Sequence, residues 1–230
     1  MKVGIMQPYF MPYIGYWQLI KAVDKYVVYD DVNYIKKGWI NRNNILVNGN
    51  AKLFSVSLKE ASQNKLINEI EISDDFNKFL KTLYFCYSKA PHYKAVDELM
   101  QKICAYPNKN LGDFLYNSIS EVCNYLGIET EIILSSSIEK DNSLKGQDKI
   151  LHICKHLGAT EYYNAIGGKE LYDDKSFAAN NIKLSFLRTE FKEYPQLGLP
   201  FVKGLSMIDV LMFNSVAEVN RHLGGFILEK

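Results

Sequence analysis

An α/β fold built on a mainly parallel, Rossmann-like sheet is what this 230-residue sequence predicts, and three observations predict it. Two apolar runs, Lys2–Gln7 and Lys25–Tyr29, flank a helical stretch within about 30 residues, the size of a strand–helix–strand crossover. Toward the other end, apolar runs at Glu129–Leu134, Glu161–Asn164 and Ile182–Leu187 alternate with helical patterns, the order expected of a parallel sheet. Between these halves, an Asn48-Gly49 turn with alternating flanks signals a hairpin, and a helical block over 75–126 follows it.

The elements follow in order. Lys2–Gln7 is apolar almost without a break, as a strand buried on both faces must be, and Pro8 stops it. Tyr9–Tyr13 is a loop with a second proline, Pro12, and Gly15–Val23 is a helix. Lys25–Tyr29 is the second strand and ends in the carboxylates Asp30 and Asp31. Asn33–Asn43 is a polar loop. Asn44–Val47 and Lys52–Leu58 form the hairpin. The helical block divides into three pieces near Pro91 and Pro107. Its third piece, Leu111–Leu126, aligns Leu115, Ile119, Val122 and Leu126 on one stripe, and Gly127 closes it. Glu129–Leu134 is a strand, Gln147–Leu157 a helix ended by Gly158, and Glu161–Asn164 a short strand leading to the Gly167-Gly168 turn. Lys169–Ala179 is helical, Ile182–Leu187 is a strand, a Pro/Gly-rich loop covers Tyr194–Gly204, and Ser206–Asn214 and Val216–Leu223 are the closing helices. The expected organisation is one domain over 1–230, with 44–126 as a hairpin and helical insertion.

Composition excludes more than it assigns. Basic and acidic residues number 27 and 26, so no global field draws the chain to nucleic acid or anionic lipid, and any anion site must be a local cluster. The four cysteines lie in apolar helical stretches without Cys-x-x-Cys spacing, which reads as core rather than zinc or disulfide. The start runs straight into Pro8, unlike a signal peptide, and no apolar run is long enough to span a bilayer. A cytoplasmic location is expected. No metal site and no cofactor is assigned. His152 and His156 stand four apart on a helix but lack a third ligand.

Three segments fall at strand ends, where open parallel sheets bind ligands. In the first, Gln7, Tyr9, Tyr13, Gly15 and Tyr16 surround two stiffening prolines, and Gly15 would let a ligand approach a helix N-terminus. The bland alternative is a rigid connector with its aromatics turned inward. In the second, Asp30 and Asp31 are candidate proton acceptors. Lys36, Lys37 and Arg42, with Tyr34, Trp39, Asn41 and Asn43, suit a phosphate beside a flat ring, or else make a solvated loop. In the third, Asn164, Gly167 and Gly168 form either a small anion-binding nest or a plain turn. No Walker spacing, no Gly-x-Gly-x-x-Gly and no Gly-x-Ser-x-Gly elbow occurs. Ser135-Ser136-Ser137 follows a strand and reads as a cap or turn.

The run Ile5-Met6-Gln7-Pro8-Tyr9-Phe10-Met11-Pro12-Tyr13-Ile14-Gly15-Tyr16 resembles the opening of WbqC-like proteins. So do Tyr29–Tyr34, Trp39–Asn43, Tyr163–Tyr172 and Leu205–Asn214, with Ala165 where proline is expected. This resemblance implies a place in bacterial surface-polysaccharide (O-antigen) gene clusters. A fainter likeness to adenylate-forming nucleotidyltransferases lacks their His-x-Gly-His motif, since the first histidine is His92. The functional expectation is a transferase moving an acyl or aminoacyl group onto a nucleotide-linked amino sugar, with Asp30 or Asp31 as base. The alternatives are an ATP-dependent carboxylate-activating or nucleotidyltransferase-like enzyme, a non-catalytic nucleotide-sugar binder, and an RNA-binding module. The neutral charge disfavours the last. The expected partner is a small molecule; oligomeric state is not assigned.

Overall fold

The computed structural model describes residues 1–197 and 200–230. Its centre is a six-stranded sheet. In chain order the parallel strands are β1 (Lys2–Met6) and β2 (Lys25–Val28); after the hairpin strands β3 (Arg42–Val47) and β4 (Asn50–Ser55) and the short pair β5 (Leu58–Lys59) and β6 (Glu71–Ile72), they continue with β7 (Glu131–Leu134), β8 (Glu161–Ala165) and β9 (Lys183–Thr189). An antiparallel strand, β10 (Phe226–Glu229), closes one edge, giving the order β10-β9-β8-β1-β2-β7. This is a doubly wound arrangement with its reversal between β1 and β8. The expected adjacency of the first two runs is met: β1 and β2 pair in parallel in the interior, with Val3 opposite Lys25 and Met6 opposite Val28.

The alternation of β1 explains its two faces. Val3 and Ile5 point to a core shared with Val27, Ile150, Ile153, Cys154 and Phe177. That side is covered by α5 (Gly146–His156) and α6 (Asp174–Ala179). The opposite side packs against α1 (Ile14–Lys21) and α4 (Leu111–Leu126). Gly4 sits beneath α1, where an added Cβ would lie 3.2 Å from the Tyr26 ring and 3.6 Å from Leu19.

The segment between β2 and β7 carries β3 to β6, α2 (Asn77–Tyr87), α3 (Tyr93–Cys104) and α4. It is tied to the sheet by buried hydrogen bonds. Phe10 N–H donates to Ile40 O, Asn43 Nδ2 donates to Met11 O at 2.6 Å, and Ser206 N–H donates to Asn44 O. Tyr87 donates to Asp209 of α7 (Met207–Phe213) and accepts the Leu46 N–H. The chain closes through α8 (Val216–His222), whose Ser215 cap and Glu218 form a capping box.

Three expectations are corrected. The 169–179 stretch is not one helix: a 3₁₀ segment over Ile166–Leu171 precedes α6, which starts where Asp173 caps the Ser176 N–H. The second hairpin strand is Asn50–Ser55 rather than Lys52–Leu58. Strand β10, missed in the sequence, follows Gly224-Gly225 as an edge strand with a half-exposed pattern. The expected loop 194–204 includes residues 198 and 199, which lie outside the described residues. Among the described residues no helix is long and apolar enough to cross a membrane. All four cysteines are free, and burial pushes the thiols of Cys104, Cys123 and Cys154 up to about 12.

Candidate functional site

A cleft of about 670 Å³ opens beyond the carboxyl ends of β2 and β7. Three lysines line it, Lys140, Lys145 and Lys149, against one carboxylate, Asp31. Lys140 Nζ lies 2.8 Å and Lys149 Nζ 3.2 Å from Asp31 Oδ2. Both lysine side chains are almost fully buried, and Asp31 is nine-tenths buried. Lys140 also donates to Ser135 O and Ile138 O, so the strand-end backbone fixes it. Lys149 donates to Asp31 O at 3.2 Å and stands 5.4 Å from the Tyr29 ring centre. It reaches the cleft because the first turns of α5 project it there. Burial raises the Asp31 carboxyl, but the hydrogen bond from Lys140, the nearness of Ser135 and the charges of both lysines outweigh it and hold Asp31 below the usual carboxylate value. Asp31 Oδ1 and Ser135 Oγ are buried near each other, and neither has another hydrogen-bond partner.

Asp30 does something different. It is 2% exposed. Oδ1 accepts the Ser136 N–H at 2.9 Å, Oδ2 accepts the Asn68 side-chain amide at 3.2 Å, and its carbonyl accepts the Asn68 N–H. Asp30 thus joins β2 to the insertion and to the turn after β7, and Asn68 and Ser136 form cleft wall.

The structure does not gather the remaining sequence candidates here; of them, Asp31 alone lines the cleft. Phe10 and Met11 are fully buried, with Phe10 inside a cluster of Phe54, Phe76, Phe79 and Phe114 at centroid distances of 5.3–6.1 Å. Tyr16 is 1% exposed and donates to Gln7 O, and Tyr9 accepts the Tyr13 N–H. At Gly15 a Cβ would stand 2.3 Å from Thr189 Oγ1 and 2.5 Å from the Tyr13 ring, so glycine there serves close packing. Tyr34 donates to Asn41, which donates to Val56 O; these three staple the loop. Asn43 is buried on Met11 O. Arg42 Nε donates to Gly38 O at 2.5 Å, and its guanidinium lies 5.9 Å from the Trp39 ring centre. Lys36, Lys37 and Trp39 are exposed. Asn164 is buried and donates to the hydroxyls of Tyr162 and Tyr172. Gly167 is open to space, while a Cβ on Gly168 would lie 3.1 Å from Asn164 Oδ1.

The sequence reading missed Lys140, Lys145, Lys149 and Asn68. A signal existed: the turn after β7 follows a parallel strand, as the Asp pair does, and carries Ser135-Ser136-Ser137 and Lys140 together. Lys149 and Asn68 gave none, because only the tertiary fold brings a helix residue and an insertion residue to that rim. Among the described residues no group of three or more His, Cys, Asp or Glu side chains is placed to hold a metal ion.

Comparison with known proteins gives two findings. The model of the WbqC-like protein family matches residues 7–221. The chain is also similar to the uncharacterized protein Rv1507c of Mycobacterium tuberculosis (strain ATCC 25618 / H37Rv), at 28% identity over 96% of this chain and 97% of that one. No solved structure matches.

Proposed function

The chain belongs to the WbqC-like protein family, and on that premise we propose a biosynthetic-cluster transferase that adds an acyl or aminoacyl group to a nucleotide-linked amino sugar. The observation that carries the proposal is the Lys140–Asp31–Lys149 triad in a cleft of about 670 Å³ with surplus positive charge. That volume is in the range of small-ligand pockets. Held cations next to a helix N-terminus suit a diphosphate, which Lys145, Lys149 and the first turn of α5 would bind. Asp31, the one carboxylate lining the cleft, is the acceptor for the sugar amine.

The chemistry follows from the charges. An amine attacks a carbonyl only when neutral, and the two lysines disfavour a third cation beside them, lowering the substrate ammonium pKa. Asp31 is a weak base because its own pKa is held down. It therefore takes the proton after attack, when the nitrogen has become strongly acidic. The nitrogen bonds to the acyl carbon, the donor's leaving group departs with its electron pair, and the amine proton passes to Asp31. Asp30 is reassigned from candidate base to the support of Asn68 and Ser136.

The test is incubation of the protein with nucleotide-linked amino sugars and acyl or aminoacyl donors, read by mass spectrometry. An acylated sugar is expected, and Asp31→Asn should lower turnover by about 10²–10⁴-fold with the nucleotide sugar still bound. Binding without turnover for any donor would make the protein a nucleotide-sugar binder. Full turnover in Asp31→Asn would reject the assignment of the base.

A further inference from the structure

Outside the cleft, one surface combines charge and apolar exposure. From Val32 to Lys59 the chain has no carboxylate, yet it carries Lys36, Lys37, Arg42, Lys52 and Lys59, in a protein whose charges over the whole chain nearly cancel. Of these, Lys59 pairs with Glu71 at 3.3 Å, and the next carboxylate along the chain, Glu60, lies 3.8 Å from Lys65. The loop Ile35–Trp39 is a tight turn, closed by the Gly38 N–H on Ile35 O, with Lys37 at φ +61°. It holds Ile35 51% and Trp39 52% exposed, with Lys36 and Lys37 between them. The hairpin extends the same surface. Asn43, Ile45 and Phe54 share one face of the hairpin with Lys52, the cross-strand partner of Ile45, while Arg42, Asn44 and their partners Ser55 and Leu53 share the other, with Leu53 47% exposed.

We propose that this face docks on an anionic bilayer surface, with Ile35, Trp39 and Leu53 entering the headgroup region and Lys36 and Lys37 meeting the lipid phosphates. Charge complementarity selects the occupant. A second copy of the same face would bring like charges against each other. A single-stranded nucleic acid needs open aromatic faces for stacking, but Arg42 already covers one face of Trp39, and Ile35 and Leu53 offer no stacking at all. Apolar side chains interleaved with lysines are what an interfacial anchor requires. Two or three apolar contacts give weak, reversible docking, not insertion. The surface adjoins the cleft, because Val32 and Asn33 line the cleft wall immediately before the loop begins.

Vesicle binding tests this independently of any catalytic assignment. Trp17 is fully buried and Trp39 exposed, and these are the only two tryptophans, so a shift in emission reports Trp39. The protein should sediment with phosphatidylcholine vesicles containing phosphatidylglycerol, with a blue shift that high salt reverses. Phosphatidylcholine alone should give neither. Lys36→Glu/Lys37→Glu should weaken vesicle binding by at least about tenfold. Trp39→Phe should remove the emission shift while leaving circular dichroism and sedimentation with vesicles largely intact. No sedimentation with anionic vesicles, equal binding to neutral ones, indifference to the charge reversals, or tighter binding to a single-stranded RNA oligonucleotide would each overturn the proposal.

Discussion

Two strand ends of this protein look alike in sequence and differ in the fold. The turn after β1 and the turns after β2 and β7 all leave a parallel sheet on the same side. The first is filled: Phe10 lies in an aromatic cluster beneath the hairpin, and Asn43 and Ser206 close over Met11 O. The second is open, floored by lysines and a carboxylate. The difference lies in what the insertion covers. Residues between β2 and β7 fold back over the β1 end, whereas at the other rim they only wall the cleft, through Leu66 and Asn68. An aromatic-rich loop at a strand end is therefore core when a neighbouring segment supplies apolar cover, and the proposed site lies where charge is held at an open rim.

The largest expected effect tests the filled end. Phe10→Ala should cost about 3–5 kcal/mol of stability, the range for losing a buried aromatic, measured by urea unfolding. A cost near zero would mean that the aromatic cluster is not core and that the contrast between the two ends is false.

A smaller effect tests the open end. Asp31→Asn should cost about 1–3 kcal/mol, because Lys140 keeps its two carbonyl acceptors when the carboxylate is lost. The pH dependence has a fixed sign. The folded Asp31 pKa is depressed, so its stabilisation is fully present above the unfolded value of about 3.9 and is lost as pH falls through the lower folded value. The stability gap between wild type and Asp31→Asn should be constant near neutrality and close in acid below about pH 4. A gap that widens in acid would contradict the ion triad.

The smallest effect belongs to the Gly167-Gly168 turn. With nothing within 4 Å of an added Cβ, Gly167→Ala should change stability by less than about 0.5 kcal/mol. Gly15→Ala should destabilise clearly, since its Cβ would meet Thr189 and Tyr13.

Local signals made much of the fold legible. The unbroken apolar runs of β1 and β2, the Asn48-Gly49 turn, the Leu115–Leu126 stripe and the Gly127 cap each specify an element without help from distant residues. Strand β10 escaped because an edge strand after two glycines buries too little to show alternation. Of the proposed site, Asp31 was legible in the sequence and the lysines around it were not. Lys36, Lys37 and Arg42 are close to the Asp pair in sequence, yet the chain turns away at Tyr34 and carries them to an outer face. Lys140 and Lys149 lie more than a hundred residues downstream and arrive only because β7 pairs with β2.

One titration tests the central claim, that the nucleotide-sugar site is the lysine cleft and not the loop cations. It measures the affinity of a nucleotide-linked amino sugar for wild type, Lys149→Gln and Arg42→Gln by calorimetry at fixed salt. Loss of a charge-assisted contact costs about 1.5–3 kcal/mol, so Lys149→Gln should bind roughly ten to a hundredfold more weakly, and Arg42→Gln should bind as wild type does. Unchanged affinity in Lys149→Gln, with the loss appearing in Arg42→Gln, would contradict the account and return the site to the loop.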